Sequence, residues 1–402
     1  MKASLLWAIA ILSIIFYGCE EDQVDFPQQS FDEMRSAFIE DGRVALLEAD
    51  YRLDSLTNQL EVRVLTTVDT ALQAIQDWAN QEKGIRLQEI QLLPDDHLAA
   101  SWALVRLSAA NIRSEGRHSA ELVTQAIMGT PVRVLQEKND WYRIQTPDHY
   151  IGWVDPSGLS MLSSSELEQW RQSDRVMFME FAGRGWTAPQ PNVPAVSDLV
   201  MGAILVQTGQ QQRGYKEVKL PDGRLAWVGA EEVEDFDEII SQNGEVEAAQ
   251  LEWAGKEMMG VPYLWGGTSS KGVDCSGFTK TLYWMNGWVL PRDASQQVLV
   301  GKEVPVTDSL EQLKDGDLIY FGRYREDGSP KVTHVALHIG DRMILHSSGE
   351  VKIESLNPTD SLFNAYRYNS ILSARRILGQ GTQFGIQTVA AHPWYFTQDL
   401  LQ

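Results

Sequence analysis

Cysteine is almost missing from this chain: among 402 residues only Cys19 and Cys275 carry a thiol. A scaffold stapled by several disulfides is therefore excluded. Basic residues are also short, with 34 Lys and Arg against 55 Asp and Glu and a net charge of -21. Such a surface repels phosphates, so nucleic acid is excluded as a partner. One long apolar run, "ASLLWAIAILSIIFYG", follows Lys2, and it is too short for a comfortable membrane span. It reads as a signal peptide over residues 1–18. The whole chain is 43% hydrophobic and too long for a single core, which predicts several folded domains.

The end of the run, Phe16-Tyr17-Gly18-Cys19, resembles a bacterial lipobox, in which the cysteine after a small residue is lipidated and becomes the mature N-terminus. The resemblance implies a lipid on Cys19 and a membrane-anchored protein of the cell envelope, periplasmic or surface-exposed. Cys275 is then the single thiol of the mature chain, in a compartment where paired cysteines are oxidised. Three roles remain for it: an inert buried thiol, a metal ligand or a nucleophile.

Along the chain, Ser30 and Glu33 form a capping-box pair ahead of a short helix, with Phe31, Met34 and Phe38 on one face. The region from about residue 61 to 93 reads as strand, helix and strand, with Asp69 as cap and Gly84 as stop. Residues 19–101 thus form an N-terminal mixed α/β segment. From Trp102 the texture changes to short β runs divided by turns, which predicts a small barrel of about five strands over residues 102–162. The order of "NIRS", "GTPVRVL", "WYRI" and "GWV" resembles a bacterial SH3-type domain. A looser copy spans 163–240, with Val200-Met201-Gly202 standing for Ile127-Met128-Gly129 and Ala226-Trp227-Val228 for Gly152-Trp153-Val154. "SSSELEQW" reads as a linker and "APQPNVPA" as a Pro-rich insertion. A final domain occupies 241–378, followed by a tail over 379–402.

In the final domain, Phe278, Leu282 and Met285 recur at helical spacing after Cys275, so a helix is predicted from about Ser276 to Asn286. A thiol at its N-terminus meets unpaired backbone N–H groups and the positive end of the dipole, which favour the thiolate. The same groups can receive an oxyanion. Of seven histidines, His334, His338 and His346 fall within "THVALHIGDRMILHSS", two strands joined at Gly340-Asp341. His334 and His338 lie about 13 Å apart, at ~3.3 Å per residue, so only one can reach the cysteine. If that one is His334, antiparallel pairing brings His346 beside it to hold its ring. The residues alone also admit polar strand histidines without chemistry, or a zinc site made of Cys275, His334 and His346.

"VPYLWGG", "DCSGF", "PRDASQQ", "DGDLIYF" and "THVALHIG" with "MILHSS" stand in one order that resembles the NlpC-type cysteine peptidases of bacterial cell walls. The resemblance implies an α+β multidomain protein in which a papain-like catalytic domain follows two SH3-like β-barrels and the N-terminal α/β segment. It implies Cys275 as nucleophile, His334 as base and acid and His346 as orienter, with no metal and no cofactor. The two barrels, "PYLWGG" and "PRDASQQ" further resemble the γ-D-glutamyl-L-diamino acid peptidases. These cut between D-Glu and a diamino acid in peptidoglycan-derived peptides with a free N-terminal L-Ala.

That likeness implies a pocket of Tyr263, Trp265, Asp274, Ser276, Arg292 and Asp293, with Asp274 as first holder of the substrate ammonium. Glu115 and Tyr150 of the first barrel are matched to the residues that close its amine end. Ala294 stands where some relatives have serine. Two other readings are a non-catalytic peptidoglycan-binding envelope lipoprotein, and an acyl transferase on the same fold.

Overall fold

The computed structural model describes residues 27–241, 247–307 and 309–397, so the signal segment and Cys19 lie outside the described residues. Among the described residues no helix is long and apolar enough to cross a membrane.

The first unit is a three-stranded sheet of Leu47–Asp54, Gln59–Thr66 and Ile85–Leu92. Its last two strands run parallel, linked through the helix Leu72–Gln81, as a parallel pair requires. Alternation in Gln59–Thr66 sends Val62 and Val64 inward, where Phe31, Ile75 and Trp78 complete the core. The helix Gln28–Ser36 begins earlier than the capping-box pattern implies, which puts Ser30 inside its first turn. The Ser30 hydroxyl donates to the Pro27 carbonyl and accepts from Trp78 Nε1 at 3.0 Å, so it ties the helix to the core instead of capping it. Asp69 likewise opens a 3-10 turn without a side-chain capping bond.

The strands between Trp102 and Leu162 form one antiparallel sheet of seven, not five, because the short strands Trp102–Val105 and Leu159–Leu162 extend it on one side. A second sheet of seven strands runs from Arg175–Phe178 to Val233–Asp235. Gly129 and Gly202, matched by sequence, both take positive φ, 84° and 85°, at equivalent turns. "SSSELEQW" is not an open linker. Ser163 and Glu166 make a reciprocal capping box and start the helix Ser164–Arg171.

The last unit has a six-stranded antiparallel sheet, with Pro330–His338 and Met343–Ser348 near its centre. The helix Cys275–Trp284 packs on one face, burying Phe278 and Leu282 against Leu337 and Leu345. The tail is part of this architecture. Gln387-Thr388 pairs with Trp288-Val289, and Tyr395 is buried among Trp170, Phe236 and Val389. Arg175 stacks within 4.8 Å of the rings of Trp170, Phe236 and Phe396 and donates to the Tyr395 carbonyl. The tail therefore joins the second barrel to the last unit.

Candidate active site

The chain reaches the site along the short strand Gly272-Val273 and turns into the helix at Asp274. Asp274 Oδ1 accepts from the Gly277 amide at 2.7 Å, capping the helix one residue earlier than its hydrophobic spacing suggests. Its Oδ2 accepts from the Gly266 amide, pulling the "LWGG" loop over the helix start. A Cβ at Gly277 would stand 2.0 Å from the Gly267 carbonyl oxygen, so glycine is required there.

Arg292 is fully buried and grips Asp274 with both terminal nitrogens, at 3.1 and 2.5 Å, while also donating to Ser276 Oγ at 3.1 Å. Gln297 donates to the carbonyls of Ser276 and Pro291, which locks "PRDASQQ" against the helix. These bonds change the expected role of Asp274. Both of its oxygens are committed to amides and its charge is matched by Arg292, so no free carboxylate remains for a substrate ammonium.

Cys275 is a free thiol and almost fully buried. The backbone amides of Val335 and Ser276 point at its sulfur, which places it beside the strand position of His334. Burial, then Asp274, push the thiol up to about 11, and the amides and Arg292 only partly offset this. The helix N-terminus does not yield the lowered thiol expected from its position alone: desolvation is the larger effect.

His334 Nε2 and His346 Nδ1 are 2.7 Å apart. His346 Nε2 lies 3.1 Å from Glu354 Oε2, and Glu354 also holds Lys352 and Asn364. The hydrogen bond to His346 leads the causes that bring the Glu354 carboxyl down to about 2. Burial first, then Arg367, depress His334 well below the usual imidazole range. The Glu354 carboxylate in ion-pair range of His346 Nε2 favours the proton on that nitrogen, and on this assignment His346 Nδ1 accepts from His334 Nε2. His334 Nδ1 is left without a proton, ready to take one. Glu354, which no sequence motif revealed, is thus the neighbour of His346 on the side away from His334. His338 turns elsewhere, its Nδ1 3.0 Å from the Lys314 carbonyl.

The zinc reading is not favoured by this geometry. The two imidazoles bond each other, and among the described residues no group of three His, Cys, Asp or Glu can hold a metal ion.

In front of the sulfur is a cavity of about 480 Å³ with walls from three parts of the chain. Tyr263, Trp265, Asp274, Ser276, Arg292 and Asp293 line it, as does Tyr150 of the first barrel. Tyr150 stands near Asp293, and its hydroxyl is pushed upward by burial and then by that carboxylate. Glu115 is not there. It sits on the exposed turn after Ala109–Arg113, paired with Arg117, with 62% of its side chain in solvent. Where the turn comes back, Glu121 enters the cavity wall and accepts from Trp265 Nε1 at 2.7 Å. The first barrel's carboxylate in the cavity lining is thus Glu121 and not Glu115. Arg43, far upstream, also lines the cavity and gave no motif by which to find it.

Residues 260–376 match the NlpC/P60 family, and residues 112–159 match the bacterial dipeptidyl-peptidase Sh3 domain. The chain is 32% identical over 237 residues to a gamma-D-glutamyl-L-lysine dipeptidyl-peptidase of Bacillus cereus, covering 56% of this chain and 67% of that protein. The chain belongs to the NlpC/P60 family. Dipeptidyl-peptidase 6 of Lysinibacillus sphaericus is 26% identical over 278 residues, 65% of this chain and 94% of that one. The crystal structure of an NlpC/P60 family protein from Bacillus cereus superposes with a TM-score of 0.59 at 25% identity, over 69% of this chain and all of that one. This NlpC/P60 protein is accordingly a cysteine peptidase, built as an α+β multidomain chain with SH3-type and catalytic domains.

The raised thiol and depressed imidazole mean that the resting site holds Cys275 as S–H and His334 as neutral ring at pH 7. Alkylation of Cys275 by iodoacetamide is expected to be slow at neutral pH and to climb continuously as pH rises toward about 11. A rate already on its plateau below pH 7 would show a resting thiolate–imidazolium pair instead.

Proposed function

We propose that this NlpC/P60 peptidase hydrolyses the γ-D-glutamyl to diamino acid bond of peptidoglycan-derived peptides that begin with a free L-Ala. The carrying observation is the lining of the cavity in front of Cys275, which includes Asp293, Glu121 and Tyr150. Two carboxylates and a phenol suit an ammonium, and an L-Ala still amide-linked to glycan offers no such charge. Asp293 and Glu121 take the part expected of Asp274 and Glu115. The naming of relatives as gamma-D-glutamyl-L-lysine dipeptidyl-peptidases supports the same reading.

In this mechanism Cys275 Sγ attacks the γ-carbonyl of D-Glu as its proton passes to His334 Nδ1. The Ser276 amide, at the first turn of the helix, faces the reacting centre and supports the oxyanion. The intermediate collapses, the C–N bond breaks, and the departing amine takes the proton from His334. Water then adds to the thioester, with His334 as base, and releases L-Ala-D-Glu and free Cys275. His346 and Glu354 hold the ring in its acceptor tautomer and stabilise the imidazolium when it forms. Lipidation of Cys19, an envelope location and the domain limits drawn from sequence belong to the same proposal, with the anchor supported by the sequence alone.

The test is product analysis by mass spectrometry on L-Ala-γ-D-Glu-L-Lys and its diaminopimelate counterpart. The expected products are L-Ala-D-Glu and the free diamino acid. Cleavage at the L-Ala bond, or an intact peptide, would overturn the assignment.

A further inference from the structure

The N-terminal α/β unit has no counterpart in the catalytic chemistry, yet one of its side chains stands in the substrate cavity. Arg43 Nη1 donates to Asp293 Oδ2 at 2.6 Å and to Ser295 Oγ at 3.1 Å. The guanidinium is fixed from behind by Asp41, whose oxygens take Nε and Nη2 at 2.8 and 2.7 Å. Asp41 in turn accepts from Gln296 Nε2 at 2.7 Å. The backbone here is also stitched to the first barrel: Ile151 N donates to the Arg43 carbonyl at 2.7 Å and Gln145 Nε2 to that of Val44. Arg43 is thus held by three parts of the molecule at once.

What lies behind Arg43 gives this position its meaning. Arg43, Val123 and Tyr150 wall the catalytic cavity on one side and a second cavity of about 180 Å³ on the other. That second space shares Ser114, Arg143 and Trp153 with a trench of about 530 Å³ between the N-terminal sheet and the first barrel. The three spaces therefore adjoin one another through shared walls, and Arg43 lies in the wall between the first two. Arg143 lies over the Trp153 ring at 5.5 Å and pairs with Glu48, so the trench offers a flat aromatic and polar groups.

We propose that Arg43 is a stopper which closes the amine end of the cavity and rejects peptides whose L-Ala nitrogen is acylated. This specificity role rests on the free-amine reading above. An acyl group on that nitrogen would have to pass between Arg43 and Tyr150 into the space beyond, and the anchored guanidinium occupies that passage. Arg43 also sets the strength of the ammonium site, since it takes Asp293 Oδ2, while Asp293 Oδ1 stands 3.9 Å from Arg292 Nη1. Exclusion of extended substrates is in this way contributed by the N-terminal unit as well as by the barrel.

The experiment measures kcat/KM on L-Ala-γ-D-Glu-L-Lys and on its N-acetyl form for the full chain, Arg43→Ala and Asp41→Asn. Arg43→Ala is expected to raise the ratio of N-acetyl to free-amine activity at least about tenfold. Asp41→Asn, which loosens the anchor and keeps the plug, is expected to shift the ratio the same way by less, and it carries the test if the alanine variant does not fold. An unchanged ratio, whether both activities persist or both fall together, overturns the stopper role. An unsubstituted enzyme that fails to cleave the free-amine peptide, or cleaves both equally, instead defeats the reading on which the proposal rests.

Discussion

Cys275→Ala is expected to reduce hydrolysis to background, a loss in kcat on the order of 10⁶-fold, with the fold retained. The side chain removed is small, and the bonds that shape its surroundings belong to Asp274, Ser276 and Arg292. Adding His334→Ala should then cost nothing more, because a nucleophile without its base and a base without its nucleophile are equally idle. His346→Ala is expected to cost less, on the order of 10⁴-fold, since it removes an orienter and leaves His334 free to rotate. Steady-state rates on the tripeptide, beside thermal unfolding of each variant, read these outcomes. Full activity in His346→Ala would remove the ring-to-ring bond from the mechanism.

Arg292→Met should act mainly on stability, destabilising the protein by about 3–5 kcal/mol. Methionine fills much of the volume, yet it strands the Asp274 carboxylate in a buried site with only amide and hydroxyl donors around it. The double variant Asp274→Asn with Arg292→Met is expected to be less destabilised than the sum of the two single changes, because no unpaired charge remains. Urea unfolding measures both. Strict additivity would mean that the pair does not act as a unit, and that Asp274 is free to bind substrate after all.

Much of the catalytic centre is legible from residue order. Cys275 before a helical repeat, and His334 with His346 on neighbouring strands, follow from periodicity and turn position; the register sets Leu337 opposite Leu345, so the two rings meet on a diagonal and not as a direct pair. The substrate cavity is less legible, for a physical reason. Glu115 and Glu121 both flank one turn, and which of them faces the cysteine depends on how the "LWGG" loop docks on the strand beginning at Leu122. Sequence spacing carries no record of that docking.

The same limit hides Arg43, placed by a contact with Asp293 far along the chain, whereas Glu354 lies on the strand that adjoins His346 and is placed by the register of that hairpin. The thiol differs in kind: its place at the helix start follows from spacing, but burial, which raises its pKa, is a property of the assembled fold. By contrast, the Ser163–Glu166 capping box is plainly written in "SSSELEQW", and a linker reading of that stretch passes over it.

The central claim is that a free ammonium is recognised at Asp293 and Glu121. Its most direct test is the ratio of kcat/KM for L-Ala-γ-D-Glu-L-Lys to that for the N-acetyl peptide, measured on the unsubstituted protein. Acetylation removes the ammonium and with it its charge-assisted hydrogen bonds to the two carboxylates, which predicts a ratio of at least about 10² in favour of the free amine. A ratio near one would contradict the account.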